Sequence, residues 1–244
     1  MRNPKPPWAL VTGASRGIGL KLAEVAVRRG YNILAISRDP ERLKRTCEYL
    51  ASLRKGATIE GFPLDLSERG EGWMRLEEWL KGFSPISLLI NNAGVYATGD
   101  LVAFDPREGE RMIRINLISA MEITRLVLPG MIARREGTVI FVASQAGRIG
   151  FAGATYYCAS KFGILGFASA LFEEVRGLGI KVVTLLPGYV DTDMVKGIPG
   201  LRRDRMIPPE DLALTLEYIL DLHPQSVPSE IHLRTLLPAD EPLS

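Results

Sequence analysis

Cysteine is scarce: Cys47 and Cys158 are the two in 244 residues. Two thiols cannot build a disulfide framework, and they lack the spacing of a metal site, so no metal is expected. Cys158 reads as a small buried residue rather than a reactive thiol. Long apolar runs are missing too. No stretch reaches the ~18 residues of a membrane span, and Met1 to Pro7 has no apolar run of the kind a signal peptide needs. No membrane partner is expected, and a reducing cytoplasm fits these features. Charge of one sign is also lacking. Lys plus Arg number 30 against 28 Asp plus Glu, a net +2, which argues against nucleic acid as a partner. Pairs such as Arg28-Arg29 and Arg134-Arg135 fall where helices should end, which suits the helix dipole. With no linker, repeat or low-complexity tract, residues 1–244 read as one domain with an N-terminal tail at 1–7 and a C-terminal tail at 238–244.

What is present is an alternation of short apolar runs with helical patterns, and 46% hydrophobic residues to build a core. Strands are expected near Trp8–Val11, Tyr31–Ile36, Ala57–Leu64, Ile86–Ile90, Thr138–Ala143, Ile180–Leu186 and Ile231–Leu233. Helices fall between them, including a long one from Pro106 to Arg135, bent or broken near Asn116 and again near Pro129-Gly130, and one from about Ser67 to Lys81 with Ser67 as its cap. Seven strands alternating with helices call for an α/β fold with a mainly parallel sheet covered on both faces.

Chemistry-bearing residues cluster after the strands. The first strand runs into Thr12-Gly13-Ala14-Ser15-Arg16-Gly17-Ile18-Gly19 and then a helix. Glycines at such a turn let a phosphate approach the amides of a helix N-terminus. The second strand ends in Ser37-Arg38. An acidic residue there would hold a ribose 2′-hydroxyl, whereas an arginine accommodates a 2′-phosphate, which favours NADP over NAD; the alternative is a solvated Arg38 beside an Asp39 that caps the next helix. Asn91-Asn92-Ala93-Gly94 follows the fourth strand and is either a close approach to a cofactor or a plain turn. Asn116, amid isoleucines and leucines, is a polar link if buried. Ser144 arrives at the C-terminal end of the fifth strand, and Tyr157 and Lys161 share one helix face four positions apart. An ammonium there favours the phenolate and lowers the tyrosine pKa. Residues 188–208 carry no periodicity and read either as a substrate lid or as a surface loop.

In order and spacing these motifs resemble those of the classical short-chain dehydrogenase/reductase family, from Trp8 to about Thr192. The resemblance implies a Rossmann-type doubly wound sheet and a catalytic tetrad of Asn116, Ser144, Tyr157 and Lys161. In that scheme Ser144 hydrogen-bonds the substrate oxygen, Tyr157 is the general acid/base, and hydride comes from the reduced nicotinamide. Lys161 lowers the tyrosine pKa and binds the nicotinamide ribose, and Asn116 holds a water linking Lys161 to solvent. Cofactor contacts are implied for Gly13, Ser15, Arg16, Gly17, Ile18, Gly19, Arg38, Asp65, Asn91, Ala93, Gly94, Tyr157, Lys161, Pro187, Gly188, Val190 and Thr192, with Ser15 and Arg38 near the 2′-phosphate and Asp65 facing the adenine.

The implied enzyme is an NADP(H)-dependent oxidoreductase of a small carbonyl compound or secondary alcohol, in a homodimer or homotetramer. One alternative is a 3-oxoacyl-thioester reductase whose acidic carrier would meet Arg202, Arg203 and Arg205. Another is a non-catalytic NADP(H)-binding sensor. After the last strand the chain departs from many relatives, ending Leu233-Arg234-Thr235-Leu236-Leu237-Pro238 without a glycine-rich segment. That ending is more like reductases of assorted small carbonyls. Substrate-facing side chains are expected around Tyr96-Ala97-Thr98, around Arg148-Ile149-Gly150-Phe151 and from Tyr189 to Met206.

Overall fold

The computed structural model describes residues 6–240. Residues 1–5 and 241–244 of the expected tails lie outside the described residues. Seven strands form one sheet: β1 (Trp8–Thr12), β2 (Asn32–Ser37), β3 (Ile59–Pro63), β4 (Ile86–Asn91), β5 (Gly137–Val142), β6 (Ile180–Pro187) and β7 (Glu230–Leu233). Their order is β3-β2-β1-β4-β5-β6-β7, and every pairing is parallel. The expected "mainly parallel" sheet is thus wholly parallel.

Why the strands read as unbroken apolar runs follows from burial on both faces. Along β1, Leu10 packs toward one side with Ile123, Val127 and Met131 of helix α5 (Ser119–Arg134) and with Ile164 and Leu165 of helix α6 (Thr155–Val175). Its neighbours Ala9 and Val11 face the other side, against Leu22, Val25 and Ala26 of helix α1 (Gly17–Arg28) and Leu212 and Leu216 of helix α7 (Pro209–Asp221). Alternation with period 2 therefore feeds two cores, one on each face.

Local chemistry corrects several expected boundaries. Helix α2 (Pro40–Ser52) is capped by Asp39, whose carboxylate accepts from the Arg42 amide at 3.0 Å, with Pro40 at the first turn. Ser67 does not cap a helix: its amide and hydroxyl donate to Asp65 Oδ1 at 2.9 and 2.6 Å, and helix α3 (Glu71–Leu80) starts after Gly70. The long helix is continuous over Pro106–Arg134. Its bend at Asn116 is a π-helical turn, Arg114–Ile118, between α4 (Pro106–Ile113) and α5. Pro129 sits inside α5 without ending it; burial of Val127 and Met131 on either side holds the chain helical there. By length and composition this run is apolar enough to cross a membrane, at a mean hydropathy of 1.3 over its best window. In this fold Ile123, Val127 and Met131 spend that apolar character on the core.

Strand order reverses between β1 and β4, so the chain leaves these neighbouring strands toward opposite faces and a crevice opens beyond their C-terminal ends. Thr12 locks the crevice. Its buried hydroxyl accepts from the amides of Asn92 and Ala93, both at 3.0 Å, while Asn92 Nδ2 donates back to the carbonyls of Thr12 and Gly13 at 3.0 and 3.3 Å. Gly19, one turn into α1, lies against this lock. A Cβ there would stand 2.2 Å from the Gly13 carbonyl oxygen and 2.4 Å from Asn92 Nδ2. Gly19→Ala should therefore cost about 1–3 kcal/mol of stability, as overpacking against fixed backbone does. Equilibrium urea unfolding measures it; a loss under about 0.5 kcal/mol, the level of an indifferent surface change, would show that the close approach is not needed.

Candidate active site

Two connected cavities open at the crevice. The first, about 200 Å³, is walled by the glycine turn, by Ser37 and Arg38 at the end of β2, by Asp65 after β3, and by Asn92, Ala93 and Gly94 after β4. Gly13 and Gly17 take left-handed φ values of +65° and +54°, the backbone that such a turn requires of glycine. The hydroxyls of Ser15 and Ser37 meet at 2.7 Å. Arg38 is largely exposed and 3.9 Å from the Asp65 carboxylate. Burial would raise the Asp65 carboxyl, but the two Ser67 bonds and Arg38 outweigh it and hold it below the usual range. Arg16 bonds Asp193 at 3.4 Å, tying the glycine turn to the segment after β6.

Among the residues expected here, Ser15, Arg16, Gly17, Ile18, Ala93, Gly94 and Thr192 line this cavity together with Gly13, Arg38 and Asp65. Two do not. Gly19 serves packing, as its contacts show. Asn91 turns its side chain away from the crevice, where Nδ2 donates to Thr124 Oγ1 of α5 at 3.0 Å and Oδ1, buried, has no partner. Period-2 alternation explains this: with Asn91 facing α5, it is Asn92 that faces the crevice.

The second cavity, about 400 Å³, is mainly apolar and is lined by Ser144, Tyr157 and Lys161 with Pro187, Gly188, Val190 and Thr192. It shares Ile18, Asn92, Gly94, Val95, Thr192 and Met194 with the first. Ser144 stands just past β5, fixed by a 3.1 Å bond from the Ala146 amide to its Oγ. Tyr157 and Lys161 project from the first turns of α6, 8% and 5% exposed. The Lys161 ammonium donates to the Val142 carbonyl at 3.0 Å and lies 5.8 Å from the centre of the Tyr157 ring. Tyr96 packs edge-on to Tyr157 with ring centres 4.9 Å apart.

Asn116 is brought near this group but lines neither cavity. Its Oδ1 accepts from the Val95 amide at 2.8 Å, and its Nδ2 donates to the Val95 carbonyl and to Ser160 Oγ at 3.0 and 3.1 Å. Ser160 Oγ in turn donates to the Tyr157 carbonyl at 2.7 Å. These bonds pin the chain after β4 to the helix that carries Tyr157. A Cβ on Gly94 would lie 3.4 Å from Asn116 Oδ1 and 3.8 Å from Lys161 Nζ, so both polar groups flank the same glycine.

Electrostatics here run against one expectation. Burial pushes the Tyr157 phenol up to about 12, and the Ser144 hydroxyl recovers only part of that rise. Burial, not a pull from Lys161, sets the phenol, and the Lys161 ammonium donates to the Val142 carbonyl. Burial alone lowers Lys161 to about 8. At neutral pH the cavity therefore presents an un-ionised phenol, a proton donor.

Other lining residues were not legible as site residues. Ser37, Gln145, Arg234 and Asp240 all face one of the cavities, and Tyr96, in a segment expected to face substrate, lines the second. Gln145 is held by donating Nε2 to the Leu186 carbonyl at 2.8 Å. The 188–208 segment is closed on itself by bonds from the Asp191 amide to the Ile207 carbonyl and from the Ile207 amide to the Tyr189 carbonyl, both 2.9 Å. Nor is 238–240 a free tail. Ala239 is buried and its carbonyl accepts from the Arg202 amide at 2.8 Å. Residues 202–205 and 238–240 are far apart in the chain, and no local pattern announces their contact.

Residues 7–200 match the family model described as short chain dehydrogenase. The chain is a short-chain dehydrogenase/reductase. Over 195 residues this oxidoreductase is 34% identical to a 3-oxoacyl-[acyl-carrier-protein] reductase of Salmonella typhimurium, covering 80% of this chain and 78% of the relative. A ketoacyl reductase of Nostoc is 33% identical over 181 residues, which span 74% of this chain and 62% of that longer protein. Among solved structures, a metagenomic short-chain oxidoreductase in complex with NADP superposes at a TM-score of 0.80 with 29% identity, over 95% of this chain and 98% of the other. A short-chain dehydrogenase from Sphingobium yanoikuyae in complex with NADPH gives 0.82 and 27%, over 92% and 87%.

The buried lysine of this dehydrogenase has a stability signature. With a folded pKa near 8 and an unfolded one near ~10.4, the unfolded chain binds more protons between those values, so unfolding becomes harder as pH rises through that window. Compared with Lys161→Met, the parent should gain about 3 kcal/mol across it. Urea unfolding of both proteins at intervals from about pH 7 to pH 10 reads most of that gain; parallel curves would mean that Lys161 is not desolvated.

Proposed function

We propose that this dehydrogenase is an NADP(H)-preferring reductase of ketones and aldehydes, and oxidises the matching secondary alcohols, with Tyr157 as the general acid/base. One observation carries the reading: Ser144, Tyr157 and Lys161 converge on a mainly apolar cavity that runs into the glycine-turn groove. The groove fits a dinucleotide. Its glycines have the left-handed backbone that a diphosphate turn needs, and a Cβ on Gly17 would stand 3.2 Å from Thr192 Cγ2. Ser15, Ser37 and Arg38 gather hydroxyls and a cation at the groove wall where a 2′-phosphate would be read, with Arg16 at the turn. Two solved relatives are complexes with NADP or NADPH. When bound, the cofactor supplies or takes up the hydride.

The chain's own groups do the rest. Ser144, its oxygen fixed by the Ala146 amide, turns its hydrogen toward a carbonyl oxygen in the cavity. Tyr157 gives that oxygen its proton, and burial keeps the phenol protonated until then. The Ser144 hydroxyl stabilises the phenolate left behind. Asn116 positions the tyrosine through Ser160. Apolar walls exclude water from the transfer.

A 3-oxoacyl thioester is the second substrate reading, favoured by the reductase of Salmonella typhimurium. The arginines that would greet an acidic carrier are engaged, however: Arg202 with Asp204 at 2.8 Å, Arg203 with Asp191, and Arg205 with the Pro238 carbonyl at 3.2 Å. A small free carbonyl compound fits better.

Purified protein should oxidise NADPH in the presence of ketones, faster than NADH at equal concentration, followed by nicotinamide absorbance. Arg38→Asp should lower the NADPH-to-NADH ratio of kcat/KM by about tenfold or more, since it removes a charge-assisted contact worth about 1.5–3 kcal/mol. No oxidation with any ketone, aldehyde or acyl thioester would sink the reductase reading, and an unchanged ratio would sink the role of Arg38.

A further inference from the structure

Resting on the reductase reading, we propose that Arg234 recognises an anionic group of the substrate, so that the enzyme favours carbonyl compounds carrying a carboxylate beyond their reacting carbonyl. Three charged residues line the substrate cavity: Lys161, Arg234 and Asp240. Lys161 is buried beside Tyr157 and already donates to Val142. Arg234 is different. It lies at the exposed end of the cavity and has no hydrogen-bond or ion-pair partner among the described residues. The other cations of this face are engaged, as the pairings of Arg202 and Arg203 show, and Lys196 is paired with Asp193.

Its backbone is fixed where a reader of substrate should be. The preceding Leu233 carbonyl accepts from the Gly188 amide at 2.8 Å, so β7 delivers Arg234 beside Pro187-Gly188, themselves cavity residues. A Cβ on Gly188 would lie 4.0 Å from Arg234 Cα. Beyond Arg234 the chain returns to the cavity at Asp240, anchored by buried Ala239 on the Arg202 amide. Asp240 stands near Tyr189 and, after burial, helps to raise that phenol. The strap from 234 to 240 thus brings one cation and one anion to a mainly apolar cavity. An apolar substrate body with a carboxylate would pair with Arg234 in bidentate fashion and be repelled by Asp240.

Opposite signs make this testable. Para-acetylbenzoate and its methyl ester carry the same ketone and differ in one negative charge. In Arg234→Gln the ratio of kcat/KM for the acid to that for the ester should fall about tenfold, mostly through KM of the acid, and Arg234→Lys should restore part of it. In Asp240→Asn the same ratio should stay level or rise. A ratio unchanged in Arg234→Gln, or a fall in Asp240→Asn, would overturn the inference. If the parent reduces neither ketone, the reductase reading is left to the wider panel of ketones, aldehydes and acyl thioesters, and calorimetric titration with para-acetylbenzoate decides the anion site: weaker binding to Arg234→Gln than to the parent supports it, whereas equal binding, or none to either, refutes it.

Discussion

Thr12 holds two backbone amides of a neighbouring strand's exit with one buried hydroxyl, and the active site is laid out around that lock. The strand order reverses between β1 and β4, so these two chain exits must diverge while staying in contact. A buried amide without an acceptor costs about 1–3 kcal/mol, and Thr12 supplies an acceptor for two part-buried ones. Asn92 returns the bond to the turn after β1, which leaves room at Gly19 for hydrogen alone. From this joint the groove walls follow: Gly13 on one side, and Ala93 and Gly94 on the other, the last against Asn116 and Lys161.

Downstream, the fold places polar groups where solvent cannot reach them and makes use of the cost. Lys161 is buried, its ammonium donates to one carbonyl, and burial lowers its pKa. Tyr157 is buried and un-ionised. The buried ammonium costs stability. Together these residues place a proton donor and a nearby cation in one apolar cavity, the arrangement that the proposed carbonyl reduction would use at the atom that gains negative charge. The Asn116–Ser160–Tyr157 chain ties the proposed donor to the π-helical turn that carries Asn116.

The seven strands, the glycine turn and the positions of Ser144, Tyr157 and Lys161 were legible in sequence, because each is a local pattern: an apolar run, a turn signal, a helical spacing. What local pattern cannot carry was misread or missed. Asn91 and Asn92 look alike in the chain, and only the phase of β4 sends one to α5 and the other to the crevice. Ser67 looked like a cap until Asp65 claimed both its donors. The expected pull of Lys161 on Tyr157 took no account of burial, which raises the phenol to about 12. Likewise 238–240 looked like a tail, since its partner Arg202 is remote in sequence.

Everything proposed for the site depends on Tyr157 as the proton donor. Tyr157→Phe deletes one hydroxyl and leaves the ring packed on Tyr96. With a ketone and NADPH, kcat/KM should fall by about 10²–10⁴-fold, while NADPH binding, measured by fluorescence, stays within about a factor of two. A variant that reduces the ketone as fast as the parent would contradict the assignment.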